Sequence, residues 1–152
     1  MRRKEKIMEH EKAMFLLRSG EYGTLSIIDT DKKPYGIPVN YAVKENAIYF
    51  HCAMKGKKIE TLKMNNMASF CVVGYTKIDA EKFTTRYESC IVEGNIEEVF
   101  LNEKIMALEE LIKKYSPQFF EKGIKYIKAE ESKTKIFKIK IEKISGKTNL
   151  KT

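Results

Sequence analysis

Apolar and polar residues alternate along this chain with two different periods, and each change of period predicts the end of one element and the start of another. Ile7, Met14 and Leu17 fall near one helical face between Glu5 and Arg18, and Ser19-Gly20 supplies a stop. An amphipathic helix over about 5–19 therefore opens the chain. Thr24 to Asp29 alternates with Leu25 and Ile27 on one side, Asp31 to Pro34 makes a turn, and Gly36 to Val43 extends again as the second arm of a β-hairpin. A further turn at Lys44 to Asn46 leads into a strand over Ala47 to Cys52. Met54-Lys55-Gly56 then hands the chain to helical spacing over Lys57 to Asn65, with Ile59 and Leu62 inward.

Ala68 to Gly74 is a short continuous apolar run, the pattern of a strand buried on both faces. Arg86 to Phe100 reads as a long strand in which Gly94 predicts a bulge or sharp bend. Ile105, Leu108, Leu111 and Ile112 return to helical spacing over Asn102 to Tyr115, and Pro117 begins a second helical stretch through Phe120, Ile124 and Ile127. Ser132 to Ile144 closes with Phe137, Ile139 and Ile141 alternating. About six strands with helices between them fit a closed or partly open antiparallel barrel better than a parallel sheet.

Composition narrows the class without changing this outline. At 152 residues and 43% hydrophobic, the chain has the size and apolar content of one domain with a real core. No run reaches the roughly 18 apolar residues that cross a bilayer, and the basic start Met1 to Lys6 runs into Glu9, His10 and Glu11 rather than an apolar leader. A cytoplasmic protein is expected. Cys52, Cys71 and Cys90 are far apart, without a CxxC pair or histidine cluster, so they read as buried strand thiols and no metal site is expected. The net charge of +8 raises a nucleic-acid partner. Its distribution argues against one, because lysines such as those in Lys133 to Lys143 alternate with apolar residues and Glu, as on the wet face of a strand.

Three stretches carry candidate chemistry. In Tyr49 to Lys58 a strand ends in a glycine loop and a helix opens with two lysines, so unpaired N–H groups, Gly56 and the ammonium groups of Lys57 and Lys58 together suit a phosphate. A solvated basic surface would look the same. In Pro34 to Tyr41, Pro38 interrupts a strand-like run and implies an edge or bulge where backbone faces a ligand, or an ordinary edge strand. In Phe83 to Ser89, Arg86 could fork onto phosphate while Thr85 and Ser89 donate hydrogen bonds, or Arg86 and Glu88 simply decorate the surface.

Together these stretches resemble the FMN-binding split-barrel superfamily that includes pyridoxamine phosphate oxidase, and more closely its nitroimidazole-resistance branch. The similarity runs from about Gly20 to Gly146. It rests on Tyr35 to Tyr41, Ile48 to Ala53 with Gly56-Lys57-Lys58, Ser69 to Val73, and Ile144 to Lys147. The resemblance implies an α+β, mainly β fold: a Greek-key-like antiparallel split β-barrel over about 23–146 with flanking helices and a helical insertion over about 102–130, in a single domain 1–152. It also implies a homodimer with FMN at the subunit interface. By position, Pro38, Val39, Asn40 and Tyr41 would border the flavin ring. His51, Cys52 and Ala53 would lie beside it, Lys57 and Lys58 would meet the phosphate, and Arg86 and Ser89 would add contacts.

Such proteins resemble flavin oxidoreductases that take electrons from NAD(P)H or another donor and pass them to a small electron-poor acceptor, a nitro-aromatic among them. With an ordinary pKa near 6.5, His51 is the candidate catalytic group, able to donate a proton or stabilise negative charge. Pyridoxamine phosphate oxidases carry an Arg-x-His pair near the C-terminus that this chain replaces with Lys143 to Lys147, so oxidation of vitamin B6 is not expected. The rival readings are a non-catalytic flavin or haem carrier and a basic nucleic-acid-binding stress module.

Overall fold

Among the described residues, 4–150 of the computed structural model, eight strands make one antiparallel sheet. The strands are β1 (Ile7–Met8), β2 (Gly23–Ile28), β3 (Pro34–Val39), β4 (Ala42–Lys44), β5 (Ala47–Ala53), β6 (Met67–Asp79), β7 (Thr84–Val99) and β8 (Thr134–Thr148). Helices α1 (His10–Ser19), α2 (Lys57–Met64), α3 (Leu101–Tyr115) and α4 (Phe120–Glu130) flank it. The order β3-β2-β6-β7-β8-β5-β4, with β1 beside β8, places β3 and β4 at the two ends of the path. These two follow one another in sequence without pairing, so the α+β barrel is split there.

The alternation read from sequence supplies the interior. Leu25, Ile27, Phe50, Phe70, Val72, Val92 and Ile139 fill the barrel, and Leu16 and Leu17 of α1 join the same apolar cluster. A second cluster lies on the other face of β5, where Ala107 and Leu111 of α3 pack against Tyr49 and Ile136. Gly94 sits at the expected bulge: Glu93 pairs with Lys143 but Gly94 pairs with Ile141. A Cβ at Gly94 would collide with the Lys140 carbonyl, so the close backbone approach requires glycine. Asn46 fastens the bulge, its amide donating to the Ile141 carbonyl at 2.9 Å while its own carbonyl accepts from the Ile141 N–H at 3.0 Å.

Several boundaries differ from the sequence reading, each for a local reason. Ile7–Met8 is a strand paired to Lys147 and Gly146, so the opening helix begins at His10 rather than near Glu5. Gly36 to Val43 is broken after Val39, because the backbone of Tyr41 bonds to a side chain rather than a neighbouring strand. These two changes raise the strand count from about six to eight. β6 and β7 run on past Gly74 and before Arg86, forming a long hairpin that turns at Ala80–Lys82. The apolar run Ala68 to Gly74 is covered on one face only: Phe70 and Val72 are buried, whereas Val73 is exposed. No described helix is long and apolar enough to cross a membrane.

Candidate functional site

Two elements converge on the start of α2. β5 alternates so that Ile48, Phe50 and Cys52 enter the barrel while Ala47 and Tyr49 lie under α3. His51 and Ala53 share the outer face beyond the reach of α3 and remain exposed. The chain then turns through Gly56, whose φ of 131° lies where other residues are strained. Nothing stands within 4 Å of the space a Gly56 side chain would take. Its carbonyl accepts from the Ile59 and Glu60 N–H groups at 2.9 and 3.2 Å, which starts the helix. The Lys57 and Lys58 N–H groups ahead of them have no described backbone acceptor and form the positive end of the helix dipole.

The two lysines that open α2 have different tasks. Lys57 Nζ lies 3.0 Å from Asp29 Oδ2 and 4.4 Å from the centroid of the Tyr35 ring. Asp29 Oδ1 accepts from the Asp31 and Lys33 N–H groups at 3.0 and 2.8 Å. The Lys33 hydrogen bond, followed by Lys57, holds the Asp29 carboxyl below its ordinary pKa. Lys57 is thereby a fastener between α2 and the β2–β3 turn. Lys58 is half-buried, 5.8 Å from the centroid of the Phe50 ring, and makes no ion pair among the described residues. Partial burial, and then Lys58, lower the His51 pKa, so the imidazole is neutral at neutral pH. The arrangement offers one uncompensated cation, two free N–H groups and a neutral imidazole on an uncovered strand face, a donor set that fits a phosphate joined to a flat ring.

Not every expected residue presents its side chain here. β3 is an edge strand, as Pro38 implies, and Pro38 and Asn40 are exposed. Val39 and Tyr41 alternate inward: Val39 is 8% exposed and Tyr41 wholly buried, edge-on to Phe70. The Tyr41 hydroxyl donates to the Leu17 carbonyl, and its backbone N–H donates to the Tyr115 hydroxyl at 2.9 Å. Neither its ring nor its N–H is free for a ligand. Cys52 also points inward, and burial raises its thiol pKa. Cys90 is buried likewise and pushed up to about 12, whereas Cys71 is half-buried on the outer face of β6.

Arg86 and Ser89 lie on β7, separated from β5 by β8, toward the end opposite Val99, which pairs with the His51 neighbour Ile136. Arg86 is engaged by Asp79 at 2.9 Å. A single chain does not bring these two residues to the start of α2. Sequence reading missed Asp29, whose signal is an aspartate opening a short polar turn, a position where its side chain accepts from N–H groups two and four residues on. It also missed Tyr115, for which helical spacing shows only one more half-buried position.

The family described as pyridoxamine 5'-phosphate oxidase matches residues 9–148. No curated protein sequence matches the chain. Among solved structures, a proposed 5-nitroimidazole antibiotic resistance protein from Bacteroides thetaiotaomicron is similar at a TM-score of 0.77 and 21% identity, covering 93% of this chain and 85% of that one. An FAD and heme binding protein from Mycobacterium smegmatis is similar at 0.80 and 16% identity, covering 96% of this chain and 74% of that one. An FAD-binding protein from Mesorhizobium loti is similar at 0.64 and 23% identity, covering 93% of each. At these identities the likeness is one of fold.

Proposed function

We propose that this chain, which belongs to the pyridoxamine 5'-phosphate oxidase family, is an FMN-binding oxidoreductase working as a homodimer in the cytoplasm. The observation that carries the reading is the start of α2, where, among the described residues, Lys58 has no acidic partner and two N–H groups stand open beside the uncovered face of His51 and Ala53. Lys58 and those N–H groups would hold the phosphate, while Pro38, His51 and Ala53 would border the ring. Bound there, the flavin supplies two-electron transfer between a donor such as NAD(P)H and a small electron-poor acceptor, with a nitro-aromatic suggested by the resistance protein of like fold. A neutral His51 can accept or donate one hydrogen bond at the edge of that pocket and hold a proton near it.

The dimer is supported by the outer face of the sheet. Ile28, Met67, Val73 and Ile91 are exposed there between small residues such as Ser26, Ser69 and Ser89. A second copy covering that face would give Ser89 a route to a site in the other chain, whereas Arg86, three residues earlier on the strand, points to the opposite face. Unpaired Cys52, Cys71 and Cys90 are in keeping with a reducing compartment.

The visible spectrum of the purified protein, followed by chromatography of the released cofactor, tests the reading. Flavin absorbance with FMN released is expected. A colourless protein that also fails to quench the fluorescence of added FMN would overturn it, as would a haem spectrum alone. A flavin that no NAD(P)H and nitro-aromatic pair turns over would reduce the protein to a carrier.

A further inference from the structure

A second cationic site lies past the end of β3, beside Asn40. Lys114, in the last turn of α3, buries its ammonium without a hydrogen-bond partner among the described residues. The Nζ sits 3.7 Å from the centroid of the Tyr41 ring and 5.4 Å from that of Tyr115. Ring faces attract a cation but accept no strong hydrogen bond, and an ammonium withdrawn from water has three N–H groups to satisfy.

None of the neighbouring oxygens bonds to that ammonium among the described residues. The Tyr41 hydroxyl donates to the Leu17 carbonyl, and the Ser19 hydroxyl donates to the Leu16 carbonyl at 3.4 Å. The Tyr115 hydroxyl accepts from the Tyr41 N–H and faces the Glu21 and Tyr41 carbonyls at 2.6 and 3.0 Å. Glu110, one turn back on α3, is held by Lys113 at 2.9 Å and Lys44 at 3.5 Å. Glu21 and Asn40 share its cavity, yet neither side chain bonds to Lys114 among the described residues, which leaves the ammonium open to an acceptor from outside.

Lys114 lines a cavity of about 430 Å³ together with Ser19, Glu21, Tyr22, Asn40 and Tyr115. The Asn40 side chain makes no hydrogen bond among the described residues and is exposed, leaving an amide N–H to meet a second oxygen. The exposed Tyr22 ring gives the opening an aromatic wall. Glu21 at the same cavity disfavours a doubly charged guest. One ammonium, one amide, an aromatic wall and one opposing carboxylate describe a singly charged, flat guest. We infer that this cavity binds a small carboxylate, with its charge on Lys114 and its second oxygen on Asn40. Burial lowers the Lys114 pKa to about 8, the direction expected of an ammonium lacking the anion it was placed to meet. No residue of this cavity belongs to α2, so the inference stands whether or not FMN binds there.

Calorimetric titration of the purified full chain with benzoate, and separately with inorganic phosphate, tests it. Benzoate should bind at least tenfold more tightly than phosphate. Lys114→Met should weaken benzoate at least tenfold and Asn40→Ala about threefold, while Lys113→Met stays within twofold. Should Lys114→Met fail to fold, the Asn40→Ala and Lys113→Met pair decides. No benzoate binding, equal binding of phosphate, or equal losses in Asn40→Ala and Lys113→Met would overturn the assignment.

Discussion

The protein carries two adjacent lysine pairs at helix ends, Lys57-Lys58 where α2 begins and Lys113-Lys114 where α3 finishes, and each pair divides its labour in the same way. The first member takes an acid: Lys57 holds Asp29 at 3.0 Å and Lys113 holds Glu110 at 2.9 Å. The second lies near an aromatic ring and makes no ion pair among the described residues, Lys58 by Phe50 and Lys114 over Tyr41. What differs is the backbone around them. At α2 the free N–H groups add to the positive potential of Lys58 and point to a phosphate, whereas the end of α3 offers no such donors and leaves Lys114 to one ammonium's worth of charge. A lysine's neighbours in sequence therefore predict its charge, while its neighbours in space decide what that charge is for.

The largest effect expected from breaking this comparison is on cofactor affinity. Lys58→Ala removes a charge-assisted contact of about 1.5–3 kcal/mol and should weaken FMN about 10- to 100-fold. Lys57→Ala should weaken FMN only a few-fold, yet lower the melting temperature, because Asp29 then loses the ion pair that ties the β2–β3 turn to α2. Fluorescence titration of FMN against both variants separates the two roles. Equal losses would return both lysines to the phosphate.

At the other end, the structural burden rests on Tyr115. Its hydroxyl accepts from the Tyr41 N–H and stands 3.0 Å from the Tyr41 carbonyl. Tyr115→Phe strands a backbone N–H next to a buried ring, so denaturant unfolding should show a loss of about 1–3 kcal/mol. A loss near zero would mean that water replaces the hydroxyl and that the break between β3 and β4 does not depend on it.

How much of this was legible follows the range of the interaction involved. Alternation within β2, β5 and β8 and the glycine at residue 94 are local signals, and they placed the barrel and its bulge. The flavin-side prediction for Val39, Tyr41 and Cys52 treated neighbours as equivalent, whereas strand pleating turns every second side chain into the core. At the break at Asn40 and Tyr41 the backbone bonds to Tyr115, 74 residues away, and no pattern within the segment carries that contact. The apolar run of β6 predicts burial on both faces. One face does pack inside, and the other presents Val73 to whatever covers the sheet.

A third way to sharpen the comparison uses pH. Lys114 has a folded pKa near 8 against 10.5 ordinarily, so between those values the unfolded chain binds more protons and stability rises with pH. Tyr41 and Tyr115, whose pKa values are raised by burial, oppose this as they approach their own titration, and Glu21 lines the same cavity. The wild type minus Lys114→Met difference isolates the lysine and should change by about 1–2 kcal/mol across the window. Saturating benzoate should move that change to higher pH. A flat difference would show that the ammonium already has a partner.

His51 gives the smallest effect and the finest test of the α2 end. Its folded pKa lies below the ordinary 6.5, so as pH falls through that value the unfolded chain protonates first and stability declines. His51→Gln should remove that slope. A phosphate held by Lys58 would oppose the repulsion that lowers the imidazole's pKa, so binding FMN near pH 6 should draw a fraction of a proton onto His51. Calorimetry in two buffers of different ionisation enthalpy measures that uptake directly. Uptake that disappears in His51→Gln would place the imidazole beside the bound anion. Uptake unchanged in the variant would assign the proton elsewhere and leave His51 a side chain that merely borders the site.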